Sequence, residues 1–186
     1  MVARKGNSVA IASDSLVTFG ETRLPHGYEA NAKMFQVGGS TIGAVGSTAH
    51  MPVLRQALGD LPKEELQLHS RDAIFETFRR LHPKLKEHFF LNSKEGDSDP
   101  YESSQFTLLI ANTHGIFGLE SYREVFEFER FWATGSGRRF ALGGMFAVYG
   151  GTKTAREVAQ AGVLAGCEFD TNSAVPVRLT SIKLKG

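Results

Sequence analysis

Short apolar runs broken by glycine and asparagine fill the first 46 residues and predict a series of strands. One apolar run, at residues 9–12, ends on Asp14 and its two flanking serines, and a second, at residues 34–37, begins directly after Lys33. Opposite charges therefore stand at the ends of two apolar strands. A half-buried carboxylate is costly without a cationic partner, so we expect Asp14 and Lys33 to pair. Such a pair is either structural or part of a catalytic site.

Helical patterns come in two pairs along the chain. Ser47 or Thr48 is available to cap the first helix, and apolar residues at spacings of three and four predict a longer second helix that Ser70 caps. The last helix opens with a capping-box sequence that starts at Thr154. The predicted helices are residues 47–58, residues 70–90, residues 138–149 and the segment that follows Thr154.

Strand patterns separate the two helix pairs and close the chain. Residues 106–111 form a nearly continuous apolar run, which is typical of a strand buried on both faces. Residues 175–184 form a last strand with Pro176 near its start, which suggests an edge strand or a first-residue position. This order favours an α+β fold: a four-layer αββα sandwich with two antiparallel sheets between helix layers. No repeat or linker divides the sequence, so we expect one domain over residues 1–186.

Composition and charge narrow the classes of partner. The chain has 21 Lys and Arg against 20 Asp and Glu, a formal charge of +1 that gives no reason to expect nucleic acid or an anionic membrane as a partner. No apolar run has the length of a membrane span, and the first residues lack the apolar core of a secretory signal. The default expectation is a cytoplasmic protein.

Motifs for metals, redox chemistry and nucleotides are weak. Cys167 is the only cysteine and is assigned to the core, and the six histidines lack the spacing of a zinc site, so neither metal nor cofactor is predicted. The Gly135-Ser136-Gly137 turn precedes a helix and suggests an anion site, but its spacing does not match a phosphate-binding loop.

Four motifs together resemble a proteasome β-type subunit, a member of the N-terminal-nucleophile hydrolases. They are Ala-Ser-Asp-Ser at residues 12–15, Ala-Lys-Met-Phe at residues 32–35, Ala-Val-Gly-Ser-Thr-Ala at residues 44–49 and Thr-Gly-Ser-Gly at residues 134–137. The likeness covers nearly the whole chain. It is closest to bacterial proteasome homologues and to the peptidase subunit of the bacterial ATP-dependent ring protease.

The resemblance implies roles for five residues around a threonine nucleophile that begins the chain in this family. Asp14 and Lys33 would tune the nucleophile, the N–H of Gly46 would stabilise the oxyanion, and Ser136 would hold the catalytic amine. Asp170 would close the site after the last helix. A threonine with a free α-amine carries its own base, because that amine titrates near neutrality.

The resemblance also implies a substrate pocket and partners. Asn31, Phe35, Ala44 and Thr48 would line the pocket for the side chain before the cut, and small and apolar walls favour hydrophobic side chains. Subunits of this family form closed rings that degrade unfolded polypeptides. A homo-oligomeric ring and an ATP-dependent unfoldase are therefore the implied partners.

The start of the sequence departs from the family pattern. Met1 stands where a strand is already under way, and no threonine precedes Asp14. One hypothesis is a threonine-type endopeptidase whose nucleophile lies just upstream of Met1. The alternative is a catalytically inactive ring or scaffold subunit that lacks the threonine.

Overall fold

Two antiparallel sheets lie face to face in the computed structural model, and a pair of helices covers the outer side of each. The structure describes residues 1–28, 32–94, 96 and 98–185. The predicted α+β class, the αββα layering and the order of elements are confirmed. The strands are β1 (Val2–Lys5), β2 (Ser8–Ser13), β3 (Val17–Phe19), β4 (Thr22–Leu24), β5 (Met34–Val37), β6 (Ser40–Val45), β7 (Thr107–Asn112), β8 (Gly115–Leu119), β9 (Val125–Phe128), β10 (Phe131–Trp132) and β11 (Arg178–Lys183), and the helices are α1 (His50–Gly59), α2 (Arg71–Phe89), α3 (Arg138–Tyr149) and α4 (Ala155–Phe169).

The four-stranded sheet has the order β10-β1-β2-β11 and carries α3 and α4. Strand alternation divides its residues between two cores: Val2 and Ile11 face the other sheet, whereas Ala3 and Ala10 face the helices. Alanine on that outer face lets the helices lie close to the sheet. β11 is an edge strand, as predicted, but it begins at Arg178 and not at residue 175, because its pairing with β2 begins with Arg178 opposite Ser13, the last residue of β2. Pro176 therefore precedes the strand.

The five-stranded sheet has the order β5-β6-β7-β8-β9 and carries α1 and α2. β7 lies near its centre and is buried on both faces: Ile110 packs towards the helices, and Leu109 and Ala111 pack towards the other sheet. This confirms the prediction for the apolar run there. A two-stranded hairpin, β3-β4, completes the strands among the described residues.

Helix starts follow the predicted caps in two of three cases. Ser70 accepts the N–H of Ala73 and caps α2, and Thr154 begins α4 with a complete capping box. The prediction that α1 starts at residue 47 is wrong, because residues 47–49 form a turn and His50 is its first helical residue. Ser47 accepts an N–H within that turn instead of capping the helix. None of the helices described is long and apolar enough to cross a membrane.

Candidate active site

A cavity of about 440 Å³ lies where the ends of β1, β2 and β6 meet the turn before α3. Asp14 follows β2, Gly46 follows β6, and Ser136 belongs to the turn that leads into α3. These residues line the cavity together with Lys33, which directly precedes β5. Four of the five residues predicted to be catalytic therefore surround one space.

Asp14 and Lys33 form the predicted ion pair. The Lys33 Nζ lies 2.8 Å from Oδ1 and 3.0 Å from Oδ2 of Asp14. Oδ2 also accepts backbone N–H groups from Leu16 at 3.0 Å and from Ala174 at 3.3 Å. The carboxylate is thus fixed by the backbone on two sides, and the ammonium is held at the cavity wall by the carboxylate.

Gly46 has a backbone conformation that favours glycine, with a φ of 140°. A Cβ at this position would lie 2.8 Å from the Nδ1 of His50 and 3.0 Å from the carbonyl oxygen of Gln105. Any side chain would therefore move the turn. The conformation of the Gly46 turn therefore depends on the absence of a side chain.

Asp170 joins the site through two hydroxyl groups. Ser136 donates from Oγ to Oδ2 of Asp170 at 2.7 Å, and Ser173 donates from Oγ to the same oxygen at 2.6 Å. Gly137 leaves room for this cluster, because a Cβ there would lie 3.1 Å from the Ser173 Oγ. The structure thus brings Asp170 and Ser136 together.

Ser173 is a site residue that the sequence analysis does not predict. It lines the cavity, and its backbone N–H bonds to the carbonyl of Asp170 in the turn after α4. The neighbouring Ala174 donates its N–H to Asp14, so this one turn links the hydroxyl cluster to the ion pair. A hydroxyl residue three positions after a carboxylate, just past a helix, is the signal that could have identified it.

Met1 lies at the cavity end of β1. Its carbonyl accepts the N–H of Ala12 at 2.8 Å, and its amino group donates to the carbonyl of Ala12 at 2.9 Å. Burial lowers the pKa of this amino group to about 5, and the Asp14 carboxylate opposes the shift. An α-amine in this environment is neutral at pH 7, and it is a weaker base than an exposed α-amine.

Cys167 lies near the ion pair but is a poor nucleophile. Burial, together with the nearby Asp14 carboxylate, raises the pKa of its thiol to about 11. The thiol is therefore protonated at neutral pH. No three histidine, cysteine or acidic side chains within the described part of the chain lie close enough together to hold a metal ion.

The predicted substrate residues divide between cavity and core. Ala44 and Thr48 line the cavity. Phe35 is buried between the five-stranded sheet and its helices, because alternation along β5 turns it away from the space between the sheets, so its predicted place in the pocket is wrong. Asn31 lies outside the described residues. Apolar walls that sequence reasoning missed come from Val17, Phe19, Val45 and Met51.

Solved structures with this fold include BPH of Thiobacillus denitrificans. Its complex with epoxomicin has a TM-score of 0.90 and 37% identity over 100% of this chain and 98% of that chain. A second structure of that BPH has a TM-score of 0.90 and 38% identity, over 99% and 97% of the two chains. Eukaryotic HslV from Trypanosoma brucei shares the fold, with a TM-score of 0.68 and 20% identity over 98% and 97%. No family model and no curated protein sequence matches the chain.

Proposed function

The chain belongs to the proteasome β-type family of N-terminal-nucleophile hydrolases, and from that membership we propose that it is the threonine-type endopeptidase subunit of a self-compartmentalising ring. One observation carries the proposal. The Asp14–Lys33 ion pair, the Gly46 turn and the Ser136–Asp170 hydrogen bond meet at one cavity, beside the end of β1.

The proposed nucleophile is a threonine at the third position before Met1 in the mature chain. Met1 lies opposite Ala12, and the antiparallel register continues with Ser13, Asp14 and Ser15 opposite the three preceding positions. Alternation gives the third of these the same face as Val2, towards the space between the sheets. A threonine there would stand beside the ion pair.

Two buried hydroxyl groups support this placement. Ser13 and Ser15 flank Asp14, and neither Oγ has a hydrogen-bond partner within the described residues. Buried polar groups are normally satisfied, so unpaired hydroxyls at this edge favour a polar neighbour. A strand residue or α-amine that continues β1 would supply one.

The proposed mechanism uses the α-amine of the threonine as its general base. The amine takes the proton of Oγ as that oxygen attacks the scissile carbonyl, and Lys33 favours the developing negative oxygen by its charge. The N–H of Gly46 stabilises the oxyanion, a contact worth about 3 kcal/mol of barrier. The proton then passes to the leaving amine, and water hydrolyses the ester left on the threonine.

The proposed substrates are unfolded polypeptides with a hydrophobic side chain before the cut. The apolar walls of the cavity favour such side chains, and its volume of about 440 Å³ admits an extended segment but no folded domain. The proposed partners are identical subunits in a ring and an ATP-dependent unfoldase. A library of peptides tests the specificity, and a strong preference for acidic residues before the cut would contradict it.

Peptide cleavage by the protein purified from its native host tests the proposed activity. We expect cleavage that a threonine-directed inhibitor blocks and that the Lys33→Met variant loses. The matched control is Lys153→Met, which removes an exposed lysine that directly precedes the N-cap of α4. Failure to cleave any peptide would favour the alternative, a catalytically inactive ring subunit.

A further inference from the structure

His69 and His114 lie side by side although they are far apart in sequence. Their ring centroids are 5.7 Å apart, with the planes tilted by 55°, and both side chains are exposed. His69 directly precedes the N-cap of α2, and His114 is in the tight turn between β7 and β8. This pair is at a different part of the fold from the cavity, which neither residue lines.

A buried asparagine fixes the backbone on both sides of the pair. Asn112 accepts the N–H of His114 at 2.8 Å through Oδ1 and donates through Nδ2 to the carbonyl of Leu68 at 2.6 Å. Asn112 is 4% exposed, so these bonds are shielded from water. On its other side, His69 is followed by Ser70, whose hydroxyl caps α2. Both histidine side chains therefore extend from backbone segments that hydrogen bonds hold in place.

The spacing of the rings suits two ligands of one ion. An imidazole nitrogen lies about 2.1 Å from a bound zinc ion, which puts each ring centroid about 3.2 Å from the metal. Two such rings have centroids about 5.2 Å apart at a tetrahedral angle and about 6.4 Å apart when opposite. The observed 5.7 Å lies between these limits.

We propose that His69 and His114 bind one divalent transition-metal ion of the kind that prefers imidazole, namely Zn²⁺, Ni²⁺ or Cu²⁺. The described residues supply no third histidine, cysteine or carboxylate at this place, so water completes the coordination. The ion would join the start of α2 to the β7–β8 turn. This inference stands apart from the proposed peptidase activity.

Isothermal titration calorimetry of the untagged full chain with NiCl₂ tests the proposal. We expect one ion per chain, and a dissociation constant about a hundredfold higher in His69→Ala and in His114→Ala, because each variant loses the second arm of a chelate. Both substitutions change exposed side chains and leave the Asn112 bridge intact, because that bridge uses backbone atoms. His88→Ala, at an exposed histidine in the last turn of α2, is the matched control and should bind as the parent does.

Three results would overturn the proposal. The first is that the parent chain binds no nickel, in which case the pair is only a contact between two rings. The second is that His88→Ala weakens nickel binding as much as the two test variants do. The third is that each single variant keeps most of the affinity, which would show that the two rings bind nickel independently.

Discussion

Replacing Lys33 and replacing Asp14 should cost different amounts of stability, because the two partners differ in their other contacts. The Lys33 ammonium donates to Asp14. Asp14 accepts from that ammonium and also from the backbone N–H groups of Leu16 and Ala174. Lys33→Met therefore leaves the carboxylate with two donors, whereas Asp14→Ala leaves an ammonium and two N–H groups without their acceptor.

The sizes of the two effects follow from exposure and from the number of bonds lost. The Lys33 and Asp14 side chains are 27% and 15% exposed, and a partly solvated pair contributes about 1 kcal/mol. Each N–H bond to a carboxylate adds about 1 kcal/mol in this half-buried setting. We expect Lys33→Met to lower the free energy of unfolding by about 1 kcal/mol and Asp14→Ala to lower it by about 3 kcal/mol.

Urea unfolding followed by circular dichroism, at one protein concentration, measures both variants and the double variant. The double variant should be no less stable than Asp14→Ala, since the ion pair is already lost. Peptide cleavage by the folded Lys33→Met protein then distinguishes a loss of catalysis from a loss of stability. We expect this variant to fold and to cleave no peptide. Equal destabilisation by the two single variants would refute the structural reasoning. Cleavage by Lys33→Met at the parent rate would refute the role of its charge.

Three further substitutions have defined outcomes. Gly46→Ala should lower the free energy of unfolding by about 2 kcal/mol and abolish cleavage, because the new Cβ would collide with His50 and because a φ of 140° is strained for any residue with a side chain. An unchanged melting temperature would contradict this. Thr154→Ala should cost about 1 kcal/mol in urea unfolding through the lost cap, with cleavage unaffected. Burial, with the charge of Arg123, lowers the pKa of His82 from 6.5, so stability should fall as the pH drops below about 6.5, where only the unfolded chain gains the proton. His82→Gln should reduce that fall between pH 7.5 and pH 5.5, and an equal fall in both proteins would exclude His82 as its source.

Local signals explain why much of the fold could be predicted from the sequence. Ser70 and Thr154 cap helices that their own neighbours already indicate by apolar spacing. The apolar run of β7 required burial on both faces, and the layered sandwich provides it. The predicted start of α1 is wrong because the Ser47 side chain accepts an N–H within a turn instead of capping the helix. The spacing of apolar residues does not distinguish these two arrangements.

Contacts between distant segments explain what the sequence could not show. Met34 and Phe35 are both apolar, so alternation alone did not indicate which of them faces the helices and which faces the space between the sheets. Ser173 reaches the site only because the turn after α4 packs against Asp14 and Ser136. The Asp14–Lys33 ion pair, by contrast, could be predicted from the sequence, because two opposite charges at the ends of apolar strands are each stabilised by pairing.

The intact mass and N-terminal sequence of the mature protein from its native host test the central claim most directly. The proposed peptidase predicts a chain that begins with threonine at the third position before Met1, where the register of β1 places it beside Asp14 and Lys33. A mature chain that begins at Met1 would leave the site without its nucleophile. That result would contradict the proposed activity and favour a non-catalytic subunit of the ring.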